Sequence, residues 1–193
     1  MNREARQVRS IASDFTTRED GEELRIEGYF AVFNSDYQIT SDMSESVAPG
    51  AFSDAMSDDV RALIDHETRL VLGRNRAGTL ELREDSHGLW GSILVNPNDQ
   101  DAMNLYSRVR RGDVNQCSFG FDILDEGTEY REDGTIHWTI RKVKLYEVSV
   151  CTFPAYAETN VQARQAQYQE IKRREMEKTR QELRERLRGI KWH

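Results

Sequence analysis

The chain has 193 residues, of which 37% are hydrophobic, and a formal charge of −7, which suits one domain of ordinary size plus an appendage. No run approaches the ~18–20 apolar residues of a membrane span, and residues 1–14 are too polar for a signal peptide, so the reading is a protein of the cytoplasm with no membrane partner. Residues 164–193 hold ten Lys/Arg against five Glu, a local +5 that leaves −12 for residues 1–163, and so acidic a body argues against nucleic acid as the main partner, since phosphate binding needs clustered cations.

After a polar start, residues 24–33 alternate and then become continuously apolar, which predicts a strand entering a core. Residues 40–49 are polar and read as a surface loop. Phe52, Ala55 and Met56 have helical spacing, so a short helix is expected over 50–56. Residues 60–66 form the next strand, with His66 at its end between Asp65 and Glu67. Residues 79–83 and 89–95 alternate around a turn and read as a β-hairpin. Over 100–111, Ala102, Leu105, Tyr106 and Val109 recur at i, i+3, i+4 and i+7, an amphipathic helix stopped by Gly112.

Two further strands, 114–121 and 143–153, flank a polar hairpin whose tip carries Asp133-Gly134. Along 143–153, period-2 alternation puts Leu145, Glu147, Ser149 and Cys151 on one face. Pro154 to Tyr156 ends the sheet, and from Thr159 onward a charged helix carries sparse apolar residues at Tyr168, Ile171, Met176, Leu183 and Leu187.

Three residues interrupt this pattern. Ser118 places a hydroxyl within an apolar strand, either as a satisfied core group or at the wall of a cleft. His66 sits at a strand end, suited to proton transfer or simply to the surface. Glu147, on a strongly apolar strand, is either a rim residue facing water or a buried group with a partner. Cys117 and Cys151 lack the spacing of a disulfide framework or a zinc site, and no pair of histidines has metal-ligand spacing, so no metal or cofactor is expected.

The runs Gly28-Tyr29-Phe30-Ala31-Val32-Phe33, Leu63-Ile64-Asp65-His66, Cys117-Ser118-Phe119-Gly120-Phe121 and Leu145-Tyr146-Glu147-Val148-Ser149-Val150-Cys151, in this order, resemble the prohead (capsid maturation) serine proteases of tailed bacteriophages, which share the herpesvirus assemblin-like fold. The resemblance covers about residues 24–160. It implies a mainly β protein: an antiparallel β-barrel of the assemblin type over residues 1–160, flanked by short helices, with a basic helical extension over 161–193. It also implies that Ser118 is the nucleophile, His66 the general base and Glu147 the acid that orients the imidazole. A free hydroxyl needs such a base, and the base such an acceptor. Where the family often has Asp after the His, this chain has Glu67, with Asp65 before it.

The implied substrate is the scaffolding domain of the major capsid protein or a separate scaffold protein, cut inside the immature procapsid in the host cytoplasm, with self-cleavage alongside. A homodimer is expected by the same resemblance. Two other readings compete: a non-catalytic assembly protein that keeps the fold, and a thiol enzyme using Cys117, which alternation points to the opposite face from Ser118.

Overall fold

The computed structural model describes residues 7–12, 15–21, 23–153 and 158–189. The chain divides into two compact units, Met1–Tyr156 and Ala157–His193. The first contains β1 (Gln7–Ala12), β2 (Thr16–Asp20), β3 (Glu23–Val32), β4 (Tyr37–Thr40), β5 (Met43–Val47), β6 (Arg61–Ile64), β7 (Glu67–Arg74), β8 (Leu80–Glu84), β9 (Gly88–Val95), α1 (Gln100–Arg111), β10 (Gln116–Tyr130) and β11 (Ile136–Cys151). The second is the helix α2 (Glu158–Gly189).

Helix α1 follows directly from its sequence. Ala102, Leu105, Tyr106 and Val109 are its buried residues, and the Asp99 carboxylate caps it by accepting from the amides of Asp101 and Ala102. Losing that cap would cost about 1 kcal/mol. At the other end Gly112 turns left-handed at φ 84° and returns its N–H to the last turn. The β8–β9 hairpin forms as its alternation predicts, its turn organised by Asp85, whose carboxylate accepts from the His87 and Gly88 amides and from the Tyr29 hydroxyl.

Among the described residues the strands do not close into the expected barrel. They form a seven-stranded sheet, ordered β1-β10-β11-β5-β4 with β6 and β7 attached through β11, and a four-stranded sheet ordered β2-β3-β9-β8. Nor is the larger sheet all antiparallel, because β5 and β6 both pair with β11 in parallel. They lie in tandem along one edge of that long strand: β5 faces residues 136–140 and β6 faces 147–150. Between them the chain makes an excursion that satisfies the part of β11 they leave uncovered. The Val143 amide donates to the Ala51 carbonyl, and the Leu145 amide to the Asp58 carboxylate. The helix expected over 50–56 lies in this excursion as turns followed by a 3-10 helix, Asp54–Ser57, with Phe52 and Ala55 buried.

The two sheets and α1 share one apolar core, in which Ile26, Phe30, Leu89 and Ile93 meet Phe119, Phe121, Val148 and Val150. Phe119 packs edge-on against Phe52 and stacks on Phe121, with ring centroids 5.4 and 4.7 Å apart. Each such ring is worth roughly 1.5–3 kcal/mol of burial.

Two segments read as polar connections are strands. Residues 43–47 lie within the expected loop, yet every residue of β5 is buried. Its polar groups are paired: Ser44 and Ser46 with His137, and Glu45 with Arg9. The polar start contains β1 and β2. Leu145 also departs from expectation. A bulge at Tyr146, where the register steps from Gly120↔Glu147 to Phe121↔Leu145, turns Leu145 into the core and away from the Glu147 face. Pro154 to Tyr156, read as the sheet's end, lie outside the described residues.

In α2 the apolar positions named from the sequence divide: Tyr168 is buried and Ile171 half-buried, whereas Met176 and Leu183, further along, are exposed. Glu170 pairs with Arg173 and Arg174 one turn on.

Candidate active site

The site begins with a turn. β6 and β7 are joined through Asp65 and His66 alone, with Ile64 paired to Glu67. Both turn residues have positive φ, 47° and 62°, as a two-residue type I′ hairpin loop requires. Glycine, asparagine and aspartate are the usual residues at such positions, and a residue such as His66 there costs about 1–2 kcal/mol. The cost is offset locally. The Asp65 amide donates to the Val150 carbonyl, and its carboxylate accepts from the Thr152 amide at 2.7 Å and the Thr152 hydroxyl at 3.2 Å. Asp65 thus ties the turn to the end of β11 and sets the place of the next residue, His66.

From that turn the His66 ring meets Glu147. Nδ1 lies 2.7 Å from Oε1, and the other carboxylate oxygen accepts from the Ser149 hydroxyl at 2.6 Å. Glu147 is 3% exposed, so of the two readings left open by the sequence it is the buried, partnered one. With the carboxylate ionised, Nδ1 is the donor and Nε2 keeps its lone pair, the tautomer in which an imidazole can accept a proton.

Gly120 makes room for this carboxylate. It is the register partner of Glu147, and a Cβ built on it would run into Oε1 and lie 3.0 Å from Cδ. That is the physical reason for glycine in the Ser-Phe-Gly-Phe run.

Ser118 belongs to the same face, opposite Ser149 in the β10–β11 register and two residues before Gly120. Its hydroxyl is not on His66. It donates to the carbonyl of Arg9 in β1 at 2.8 Å, and the residue is 0% exposed. The group beside His66 Nε2 is instead the Cys151 thiol, at 3.8 Å. Burial pushes the pKa of that thiol well above its ordinary value, and the anions around it add to the effect. It therefore stays protonated and is a poor nucleophile. Cys151 was accessible to sequence reasoning through its alternation with Glu147. Asp65 was not, because its role depends on a contact with Thr152, far away in the chain.

Cys117 lies on the opposite face, within the apolar core, with its sulfur 3.0 Å from the Tyr29 carbonyl. A second serine–imidazole contact occurs elsewhere. His137 lies between the hydroxyls of Ser44 and Ser46, each 2.8 Å from one ring nitrogen. Both of its ring nitrogens face hydroxyls, and it lacks the close carboxylate bond that His66 makes. Among the described residues no group of three or more His, Cys, Asp or Glu side chains could hold a metal ion, and no helix is long and apolar enough to cross a membrane.

The solved capsid assembly protease gp21 of bacteriophage T4 superposes with a TM-score of 0.53 at 11% identity, covering 77% of this chain and 98% of that one, a likeness of fold alone. The prohead protease of Enterobacteria phage HK97 is 30% identical over 148 residues, which is 75% of this chain and 61% of the relative's length. A family model described as caudovirus prohead serine protease matches residues 12–174. With most of its length so matched, the chain belongs to the caudovirus prohead serine protease family.

Proposed function

We propose that the chain is a serine endopeptidase of procapsid maturation, with Ser118 as nucleophile, His66 as general base and Glu147 as the residue that orients and charges the imidazole. The observation that carries this reading is the bond of 2.7 Å between His66 Nδ1 and the buried Glu147 carboxylate, on the sheet face that also holds Ser118. In the reaction, Ser118 Oγ attacks the scissile carbonyl while its proton passes to His66 Nε2. The imidazolium then protonates the leaving amine, and water hydrolyses the acyl-enzyme by the same route in reverse. Catalytic hydrogen bonds are often unmade in an empty site, and rotation of one serine side chain would release Oγ from Arg9.

The substrate in this reading is the scaffolding domain of the major capsid protein or a scaffold protein, within the procapsid, together with the enzyme itself. Residues 1–160 carry the chemistry. The basic segment 161–193 recruits the enzyme, and enclosure with many copies of substrate supplies a high effective concentration.

A second reading, a non-catalytic assembly protein, is favoured by one observation: the Ser118 hydroxyl is buried and bonded to a main-chain carbonyl. Co-expression with the neighbouring capsid or scaffold protein, followed by intact mass analysis, separates the two. Ser118→Ala exchanges one small side chain for another, and the loss of a triad nucleophile lowers turnover on the order of 10⁶-fold. A folded Ser118→Ala protein that still processes its substrate would refute the assignment.

A further inference from the structure

We propose that Ser149 is a positioning residue of this site: its hydroxyl sets the orientation of the Glu147 carboxylate and, through Glu147, that of the His66 imidazole. The inference rests on the reading of Glu147 as the triad acid. It adds a fourth member to the site, one that acts on neither the reacting atoms nor the imidazole directly.

The need for such a residue comes from the glutamate itself. The last torsion of a Glu side chain is broad, so its own rotamer does not aim the carboxylate. A single bond between Nδ1 and Oε1 leaves the group free to turn about that contact. Ser149 supplies the second point, with its hydroxyl 2.6 Å from Oε2 while His66 Nδ1 lies 2.7 Å from Oε1. An ionised carboxylate can only accept, so the serine is the donor.

Residues two apart on a strand are spaced about 6.5–7 Å along it. A bond as short as this one therefore requires the Glu147 side chain to lie along β11 toward residue 149. Gly120 leaves the space for that course, since a Cβ there would meet the carboxylate. The carboxylate is thus confined from three sides, by the imidazole, by the Gly120 backbone and by the Ser149 hydroxyl.

Burial makes the third contact matter. Glu147 is 3% exposed and Ser149 0%, so solvent does not stand in for a missing donor. In Ser149→Ala the second oxygen loses its bond in a buried site, and the carboxylate relieves this by turning aside or by taking up a proton. Either change takes the acceptor away from Nδ1. Ser149 is well placed to prevent it, because its backbone is held on both edges, by Ser118 of β10 and Leu63 of β6 in the two registers.

The first test is turnover of a peptide substrate by the full chain. Ser149→Ala should lower kcat about 10- to 100-fold, the worth of one hydrogen bond to a charged group. KM should not change, because Ser149 acts within the enzyme rather than on the peptide. Ser149→Cys, whose thiol is a weak donor of similar shape, should fall between, and it replaces the alanine variant throughout if that variant does not fold. In a Glu147→Ala background, where no carboxylate is left to aim, Ser149→Ala should cost less than about 2-fold more.

The second test does not depend on cleavage. In the Ser118→Ala chain labelled with nitrogen-15 histidine, the proton shared between Nδ1 of His66 and Glu147 gives a downfield NMR resonance. That resonance should move upfield or broaden away in Ser118→Ala/Ser149→Ala, with folding confirmed by its melt. An unchanged resonance overturns the proposal, and so does a loss of turnover that adds in full to that of Glu147→Ala. Continued processing by Ser118→Ala would remove the nucleophile assignment, and the resonance would still decide the role of Ser149.

Discussion

Gly120→Ala adds a single methyl group, and the structure gives both its sign and its size. Elsewhere in a strand the substitution would stabilise by about 0.4–1 kcal/mol through the unfolded chain. Here the new Cβ meets the Glu147 carboxylate and lies 3.0 and 3.1 Å from its Cδ and Cγ. An unrestrained Glu would swing aside at little cost, but this one is held by His66 at 2.7 Å and Ser149 at 2.6 Å. Overpacking of a fixed group costs about 1–3 kcal/mol, so the clash outweighs the entropic gain. At about 2–4 °C per kcal/mol for a chain of this size, the melting temperature should fall by a few degrees.

The effect on activity should be larger. A carboxylate displaced by about 1 Å no longer bonds Nδ1, which under the proposed mechanism imitates loss of the triad acid, a factor of roughly 10²–10⁴ in turnover. Glu147→Asp withdraws the carboxylate by one methylene, so the double variant should recover part of the melt lost in Gly120→Ala, measured as a double-mutant cycle. Wild-type melting and peptide turnover in Gly120→Ala would show that Glu147 is not confined as described.

Glu147→Gln keeps the shape but removes the charge that holds the imidazolium, and peptide turnover should fall by about 10²–10⁴ with the fold intact by circular dichroism; unchanged turnover would mean that another residue completes the site. Asp65→Ala removes the Thr152 clamp and leaves a strained turn, so a destabilisation of about 1–2 kcal/mol in urea is expected. Asp65→Asn should recover most of it, since asparagine accepts the left-handed conformation, whereas equal melts for all three proteins would show that the clamp does not hold the turn. A truncation ending near residue 162 should still cut a soluble peptide yet be missing from purified procapsids, and wild-type packaging of the truncated chain would refute recruitment by the basic segment.

The sequence by itself determined the elements whose causes are local. Helix α1 matched its expected bounds because its apolar stripe, Asp99 cap and Gly112 stop all act within a few residues. The β8–β9 hairpin likewise follows from alternation and one turn. Ser118, His66 and Glu147 stood out as exceptions to local patterns, but a pattern cannot say which exceptions meet.

Tertiary structure decided that. It paired His66 with Glu147 across 81 residues of chain, left the Ser118 hydroxyl on Arg9, and brought Cys151 to Nε2. It also buried the polar strand β5, because partners in β1 and β11 satisfy its hydroxyls and its carboxylate. β11 serves β10 on one edge and two parallel strands on the other, and this replaced the antiparallel barrel with two open sheets. These outcomes share one physical reason. Burial of a polar group is set by partners distant in the chain, and one bulge, as at Tyr146, reverses the face of a residue without any change in the local alternation that sequence reasoning can see.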